Sequence, residues 1–269
     1  MFFLLTAFSF ASLFFVACGN DSAKVDENTA AADTTAQVAA PAPSEIKLSP
    51  FSSSPEFPKA TVKMGYEKGK FSFTTTNYEL KQQTPDAPQK MCANSKDGQH
   101  VHLIIDNGPY DAVYEPTFEK AVEDGEHYIL AFLGRSYHES VKSKGAGVAI
   151  KAAVKGGSIG KNAAVTEPML FYSRPKGKYV GKAETAKVML DFYLANTELS
   201  PTGNKVKVMV NGEKEFTLDK WEPVFIEGLP MGDNKVKLTL IDKDGNDVKA
   251  PLNPVERVFT LLEDPTPGN

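Results

Sequence analysis

From Ala60 onward the chain consists of short runs in which β-branched, aliphatic and aromatic residues alternate with polar ones. The runs are separated by turn dipeptides such as Asn107-Gly108, Asp124-Gly125, Asn211-Gly212 and Asp244-Gly245. A period of two places alternate side chains on opposite faces of a strand. Several such runs at spacings of about ten residues predict an all-β sandwich or barrel. Outside the first seventeen residues no stretch keeps a helical period. The pattern also repeats internally. The run Phe71 to Leu80 (FSFTTTNYEL) matches Leu190 to Leu199 (LDFYLANTEL), pairing Asn77 with Asn196 and Glu79-Leu80 with Glu198-Leu199. Val101 to Asp106 matches Val206 to Asn211, and Gly125 to Leu133 matches Gly232 to Leu240. The first copy carries an insertion around Pro85 to Lys96 that the second lacks. Two tandem Ig-like β-sandwich domains, residues 59–155 and 165–264, joined near residues 155 to 167, account for this economically. Chance likeness between amphipathic strands is the alternative, because alternation is common to all of them.

Before Ala60 the composition shifts twice. Residues 1–17 (MFFLLTAFSFASLFFVA) are almost wholly apolar and stop at Cys18. This start resembles a bacterial lipoprotein signal peptide, with Phe15-Val16-Ala17-Cys18 as the lipobox. Phe15 stands where such boxes favour Leu, and no Lys or Arg precedes the apolar run. The resemblance implies that Cys18 becomes an acylated N-terminus and that the mature protein is lipid-anchored to the outer membrane, facing the periplasm or the exterior. An uncleaved anchor is the other reading, since about seventeen apolar residues lie at the short limit for spanning a bilayer. Residues 18–58 are rich in Ala, Thr, Asp, Ser and Pro and predict a disordered tether.

A length of 269 residues fits one or two domains. The 30 Lys and Arg against 34 Asp and Glu give a formal charge of -4 and no basic bias, which makes nucleic acid a poor partner. Two cysteines cannot build a disulfide framework. No nucleophile elbow, metalloprotease helix or spaced Ser/His/Asp set occurs, so the chain is read as a non-enzyme. The basic turn Ser173 to Tyr179 (SRPKGKY) fits either an acidic glycan or phosphate contact or an ordinary solvated turn.

The chemistry is concentrated in four histidines. His100 and His102 alternate with Val101, Leu103 and Ile105 in one predicted strand, so they project from the same face about 7 Å apart. His127 opens a later strand and His138 follows its end; there are no others. Their counterparts in the second copy are Lys205, Lys207 and Asn234, so the fold pattern persists without histidine. Neutral imidazole is the commonest ligand for zinc and copper. Met91 and Cys92, in the insertion, are further candidate ligands of a softer kind that would favour Cu(I). A set of unconnected surface histidines and a lone thiol are the other readings.

The three motifs GQHVHLIID, DGEHYIL and LGRSYH resemble, in order, those of a small periplasmic domain family of unknown function with a Gly-His-rich strand, a turn ending in His and a later Asp-x-x-His. The match spans about residues 98 to 138, and Arg135 stands where that family tends to have an acidic residue. The resemblance implies metal binding through His100, His102, His127 and His138. The architecture also resembles envelope lipoproteins described as phosphopeptide-binding, a role for which the chain has no motif. Two functions are therefore expected: a cell-envelope lipoprotein binding copper or zinc through these histidines, or an Ig-like module contacting a glycan or envelope protein through exposed Tyr110, Tyr114 and Tyr137.

Overall fold

The computed structural model describes residues 45–90 and 92–265, all within one compact unit. The first half holds β1 (Lys47–Pro50), β2 (Thr61–Glu67), β3 (Lys70–Thr76), β4 (His100–Ile105), β5 (Asp111–Val113), β6 (Thr117–Glu119), β7 (Gly125–Gly134), β8 (Gly147–Lys155) and β9 (Ser158–Ala164). The second holds β10 (Met169–Arg174), β11 (Gly177–Val180), the one-turn α1 (Lys182–Thr185), β12 (Lys187–Ala195), β13 (Lys205–Val210), β14 (Lys214–Leu218), β15 (Val224–Glu227), β16 (Gly232–Ile241) and β17 (Val255–Leu262).

These strands form two Ig-like sandwiches. In the first, the sheet β2-β3-β6 faces the sheet β5-β4-β7-β8-β9. In the second, β1-β15-β12-β10 faces β11-β17-β16-β13-β14. Strand alternation builds each core. Val101 and Leu103 of β4 and Ile129, Ala131 and Leu133 of β7 meet Phe71 and Phe73 of β3. Leu190 and Phe192 of β12 meet Val206 and Val208 of β13 and Leu238 and Leu240 of β16. The repeated blocks occupy matching positions. Both β4 and β13 lie between a short edge-side strand and a ten-residue strand, β7 or β16. Asn77 and Asn196 both end a strand in the left-handed region, at φ 52° and 53°. Each donates its side-chain amide to a carbonyl just upstream of the neighbouring strand, Lys59 and Val165 respectively.

Two expected boundaries move. The stretch expected as tether up to residue 58 is part of the fold from residue 45: β1 pairs antiparallel with β15, and Ile46 and Leu48 pack on the second core. Those side chains, with Phe51 and Phe57, give the end of the Ala/Thr-rich stretch the large apolar surface that the rest of it lacks. The stretch near residues 155 to 167, expected as a linker, contains β9, which pairs with β8 in the first sandwich. The expected signal peptide, residues 1–17, and the start of the expected tether, residues 18–44 with Cys18, lie outside the described residues. Among the described residues no helix is long and apolar enough to cross a membrane.

The two sandwiches are sealed together along faces that an isolated antiparallel sheet would leave wet. Ile104, Leu130 and Phe132 from the outer face of β4 and β7 pack with Met169, Phe171 and Tyr193 from β10 and β12. Phe132 stacks on Tyr193 with ring centroids 4.9 Å apart. Asn107, held at φ 58° in the β4–β5 turn, fastens this contact. Its Nδ2 donates to the Leu170 carbonyl at 2.8 Å and its Oδ1 accepts from the Tyr172 amide at 2.7 Å, so the side chain pairs with β10 as another strand would. The buried Arg257 guanidinium donates to the carbonyls of both Tyr172 and Asn107. Replacing Asn107 by Leu leaves one buried donor and one buried acceptor on β10 without partners, and should lower unfolding free energy by roughly 2–4 kcal/mol. A fall in the urea midpoint with little change in its slope tests this.

Candidate metal centre

His100 and His102 point from β4 away from the first core and into the seam between the sandwiches, where both are fully buried. The register sets what surrounds them: His100 lies opposite Gly134 and His102 opposite Phe132 on β7. A side chain at Gly134 would begin 3.1 Å from the His102 ring, so glycine there gives the imidazole its room. Gly98, at φ 84°, turns the chain into β4 where a Cβ would collide with the Lys81 carbonyl at 2.4 Å. Its own carbonyl lies 2.8 Å from His100 Nδ1.

His138 arrives from the turn after β7. It sits at φ 69°, a region a non-glycine residue adopts only where its surroundings impose it. The surroundings do so here. Arg135 donates to the Ser140 and Pro55 carbonyls, and the Ser140 amide donates to the buried carboxylate of Asp191 at 2.7 Å. Lys142 pairs with the same carboxylate at 2.8 Å. Asp191 belongs to β12, so the second sandwich positions this turn.

Three ring nitrogens converge. His100 Nε2 lies 2.8 Å from His102 Nε2 and 3.0 Å from His138 Nδ1, and all three ligand atoms lie within 4.8 Å of one another. The Gly98 carbonyl can only accept, so the His100 proton sits on Nδ1 and its Nε2 offers a lone pair to the centre. His102 Nδ1 faces the Ser173 hydroxyl at 3.3 Å, a partner able to take that proton and free Nε2. Tyr110 stacks face to face on His102 at 3.7 Å, and its hydroxyl lies 3.3 Å from His138 Nδ1. Burial pushes the His100 pKa down to about 4 and those of His102 and His138 well below the ordinary imidazole value, with Arg174 and Lys176 adding to the effect. All three are neutral at pH 7, the form that binds metal. Tetrahedral zinc with Zn–N bonds of about 2.0–2.1 Å needs nitrogens roughly 3.3 Å apart, so the two short separations would open slightly while the third, within 4.8 Å, adjusts to match.

The other expected ligands fall elsewhere. His127 begins β7 and pairs opposite Ala152, seven residues from Gly134 and therefore roughly 23 Å along the strand from the cluster. Its Nδ1 meets Asp106 Oδ2 at 2.5 Å and its Nε2 meets the Glu123 carbonyl at 2.9 Å. In the second sandwich, Asn211 donates to Asn234 Oδ1 at 2.9 Å, and Asn234 Nδ2 donates to the Pro230 carbonyl. Asp106 and Asn211 also accept from the equivalent backbone amides of Tyr128 and Lys235. His127 thus performs the structural task that Asn234 performs in the other copy. Cys92 carries a free, half-buried thiol, raised to about 11 by burial, and is not in the converging group; Met91 lies outside the described residues. The tyrosines expected as exposed contacts are not a surface set: Tyr110 and Tyr137 are buried, and Tyr114 is half-buried beside the His100 ring. Sequence reasoning missed Tyr110, Ser173, Arg174 and Lys176 as neighbours of the histidines. The conspicuous basic turn at residues 173–179 was the available signal, but nothing local tied it to β4.

No protein-family model matches the chain, and no curated protein matches it. Among solved structures, a chain described under "Structures of Clostridium thermocellum CbhA fibronectin(III)-like modules" is similar at 12% identity with a TM-score of 0.28, covering 36% of this chain and all of that one. A likeness of that degree carries no argument about function. The sheets themselves define the class, an all-β protein of two Ig-like sandwiches with a largely buried histidine triad at their seam.

The pairing of His127 predicts its pH behaviour. Burial lowers its pKa, but the Asp106 and Glu123 hydrogen bonds outweigh this and leave it raised. The stabilisation is therefore complete below the unfolded value near 6.5 and is lost as pH rises through the higher folded value. Changing Asp106 and His127 together to Asn copies the second sandwich's pair. That variant should stay within about 1 kcal/mol of the parent and lose this pH dependence, whereas His127→Ala costs about 1–3 kcal/mol at pH 6. Denaturant midpoints from pH 5 to 9 check both.

Proposed function

We propose that this chain is a lipid-anchored cell-envelope protein whose first sandwich binds a transition metal, copper or zinc, through His100, His102 and His138, without catalysis. The observation that carries the reading is the convergence of three neutral imidazole nitrogens within 4.8 Å, two of them from fully buried rings on one strand and one from a half-buried ring on a turn held at φ 69°. An ion would replace the hydrogen bonds that now link the three rings and take one lone pair from each, once the His102 and His138 protons sit on their other nitrogens. The motif resemblance over residues 98–138 points the same way, although His127 drops out of the ligand set. The anchor rests on the apolar start and Cys18, and on a polar stretch that separates it from the folded unit. In the alternative, an Ig-like module binding a glycan or envelope protein, the triad would be incidental.

A soluble form beginning at Gly19 keeps the whole compact unit. It should take up one equivalent of copper or zinc, and at metal concentrations a hundredfold above Kd it should gain about 2.7 kcal/mol in unfolding free energy. The His100→Ala, His102→Ala double variant should lose stoichiometric binding. His138→Ala should weaken it by more than the roughly 10–100-fold typical of losing an outer partner. Absence of metal from the parent, or unchanged stoichiometry in the double variant, leaves the binding-module alternative. In cell fractionation, Cys18→Ser should move the protein from the membrane fraction to the soluble one.

A further inference from the structure

Among the described residues, the charged groups beyond the rings themselves that act on the triad, Arg174 and Lys176, are both cations. Among the described residues the group of converging ligands contains no Asp, Glu or Cys. Lys176 places its ammonium 3.7 Å from the centre of the Tyr110 ring and donates to the Tyr110 carbonyl at 2.6 Å, and that ring stacks at 3.7 Å on His102. Arg174 follows Ser173, the residue beside His102 Nδ1, and is itself buried. Its guanidinium donates to the Tyr179 hydroxyl at 2.8 Å, while its buried Nε has no partner. The carboxylate that acts on Lys176 is Asp111, and Asp111 is already engaged at 2.9 Å by Lys120. Two cations therefore face an assembly of neutral donors in a seam that buries His100 and His102 completely.

The energy of an ion beside fixed positive charges scales with the ion's own charge, and its desolvation cost rises more steeply still. A divalent ion in this seam meets twice the repulsion of a monovalent one. Zinc also requires a fourth ligand, most simply water, whereas Cu(I) is satisfied by two or three soft or borderline donors. With His100 and His102 fully buried, water can reach the triad only past the half-buried His138. We infer that the triad selects a monovalent soft ion, Cu(I), over Zn(II), and that Arg174 and Lys176 set this preference through their charge. The inference rests on the metal reading above and narrows it.

Competition titrations of the soluble chain, Cu(I) under anaerobic conditions against a chromophoric Cu(I) chelator and Zn(II) against a zinc indicator, test it. The parent should bind Cu(I) at least 100-fold more tightly than Zn(II). Lys176→Met should tighten both ions, with the factor for Zn(II) close to the square of the factor for Cu(I), because the relieved repulsion doubles with ion charge. Lys176→Arg keeps the charge and should keep the parent's ratio. Lys176 is only partly buried, so these variants do not depend on tolerance at the buried Arg174. Tighter binding of Zn(II) by the parent, or equal factors for both ions in Lys176→Met, overturns the preference while leaving the metal site standing. Binding of neither ion overturns the metal reading and this inference together.

Discussion

The burial of both faces of β4 and β7 is the constraint from which the rest of the molecule follows. An antiparallel sheet ordinarily keeps one face wet. Here the outer face of β4 and β7 is closed by β10 and β12 of the second sandwich, through Phe132, Met169, Phe171 and Tyr193. That contact is given a single register by Asn107, which presents a donor and an acceptor to β10, and by Arg257, which donates to carbonyls of the same turn and strand. Apolar packing alone would tolerate sliding along the strands. The buried amide does not, because any shift leaves polar groups on β10 without partners. Once this seam is fixed, His100 and His102 lose water and gain Ser173 and Tyr110 as neighbours.

The two copies show how one topological position acquires different chemistry. His100 and His102 on β4 correspond to Lys205 and Lys207 on β13. Both lysines are partly exposed, and Lys207 reaches only Asp247 at 3.9 Å. The outer face of β13 has no sandwich laid on it, so charged side chains suit it. Covering the face of β4 makes charge costly there, and neutral imidazoles with fixed partners meet that condition. Asp191 illustrates the reverse division of labour. It occupies in β12 the place of Ser72 in β3, and there it fastens the turn that carries His138. The first sandwich supplies all three imidazoles, and the second covers them and holds the turn that carries His138.

Much of the fold was legible from alternation. The parity of Val101, Leu103 and Ile105 against His100 and His102 was readable because β4 keeps a strict period of two, and the repeat could be read because Asn77 and Asn196 mark equivalent strand ends in equivalent conformations. The seam was harder to see, although it left a trace. Ile-Leu-Ala-Phe-Leu in β7, Met-Leu-Phe-Tyr in β10 and Val-Met-Leu-Asp-Phe-Tyr-Leu in β12 are apolar on both faces, the mark of strands covered on both sides. His127 misled because nearness in sequence stood in for nearness in space. It and Gly134 end the same strand, and an extended chain separates its ends farther than any other element of equal length. Comparison of the copies held the correction, since Asn234 already stood in the matching place with the same two partners.

The position of the triad in the seam also bears on how a metal would act on the protein. The turn that carries His138 is held by Asp191 and His102 Nδ1 meets Ser173, so both sandwiches must be docked before the three rings can offer their nitrogens to one point. Ion binding and docking then favour each other, by the reciprocity that links any two equilibria sharing a state. An ion held there stabilises the seam and not merely one domain. A partner that pried the sandwiches apart would at the same moment dismantle the site. The half-buried His138, on a turn in a left-handed conformation at the margin of the seam, is the ligand from which such release would begin.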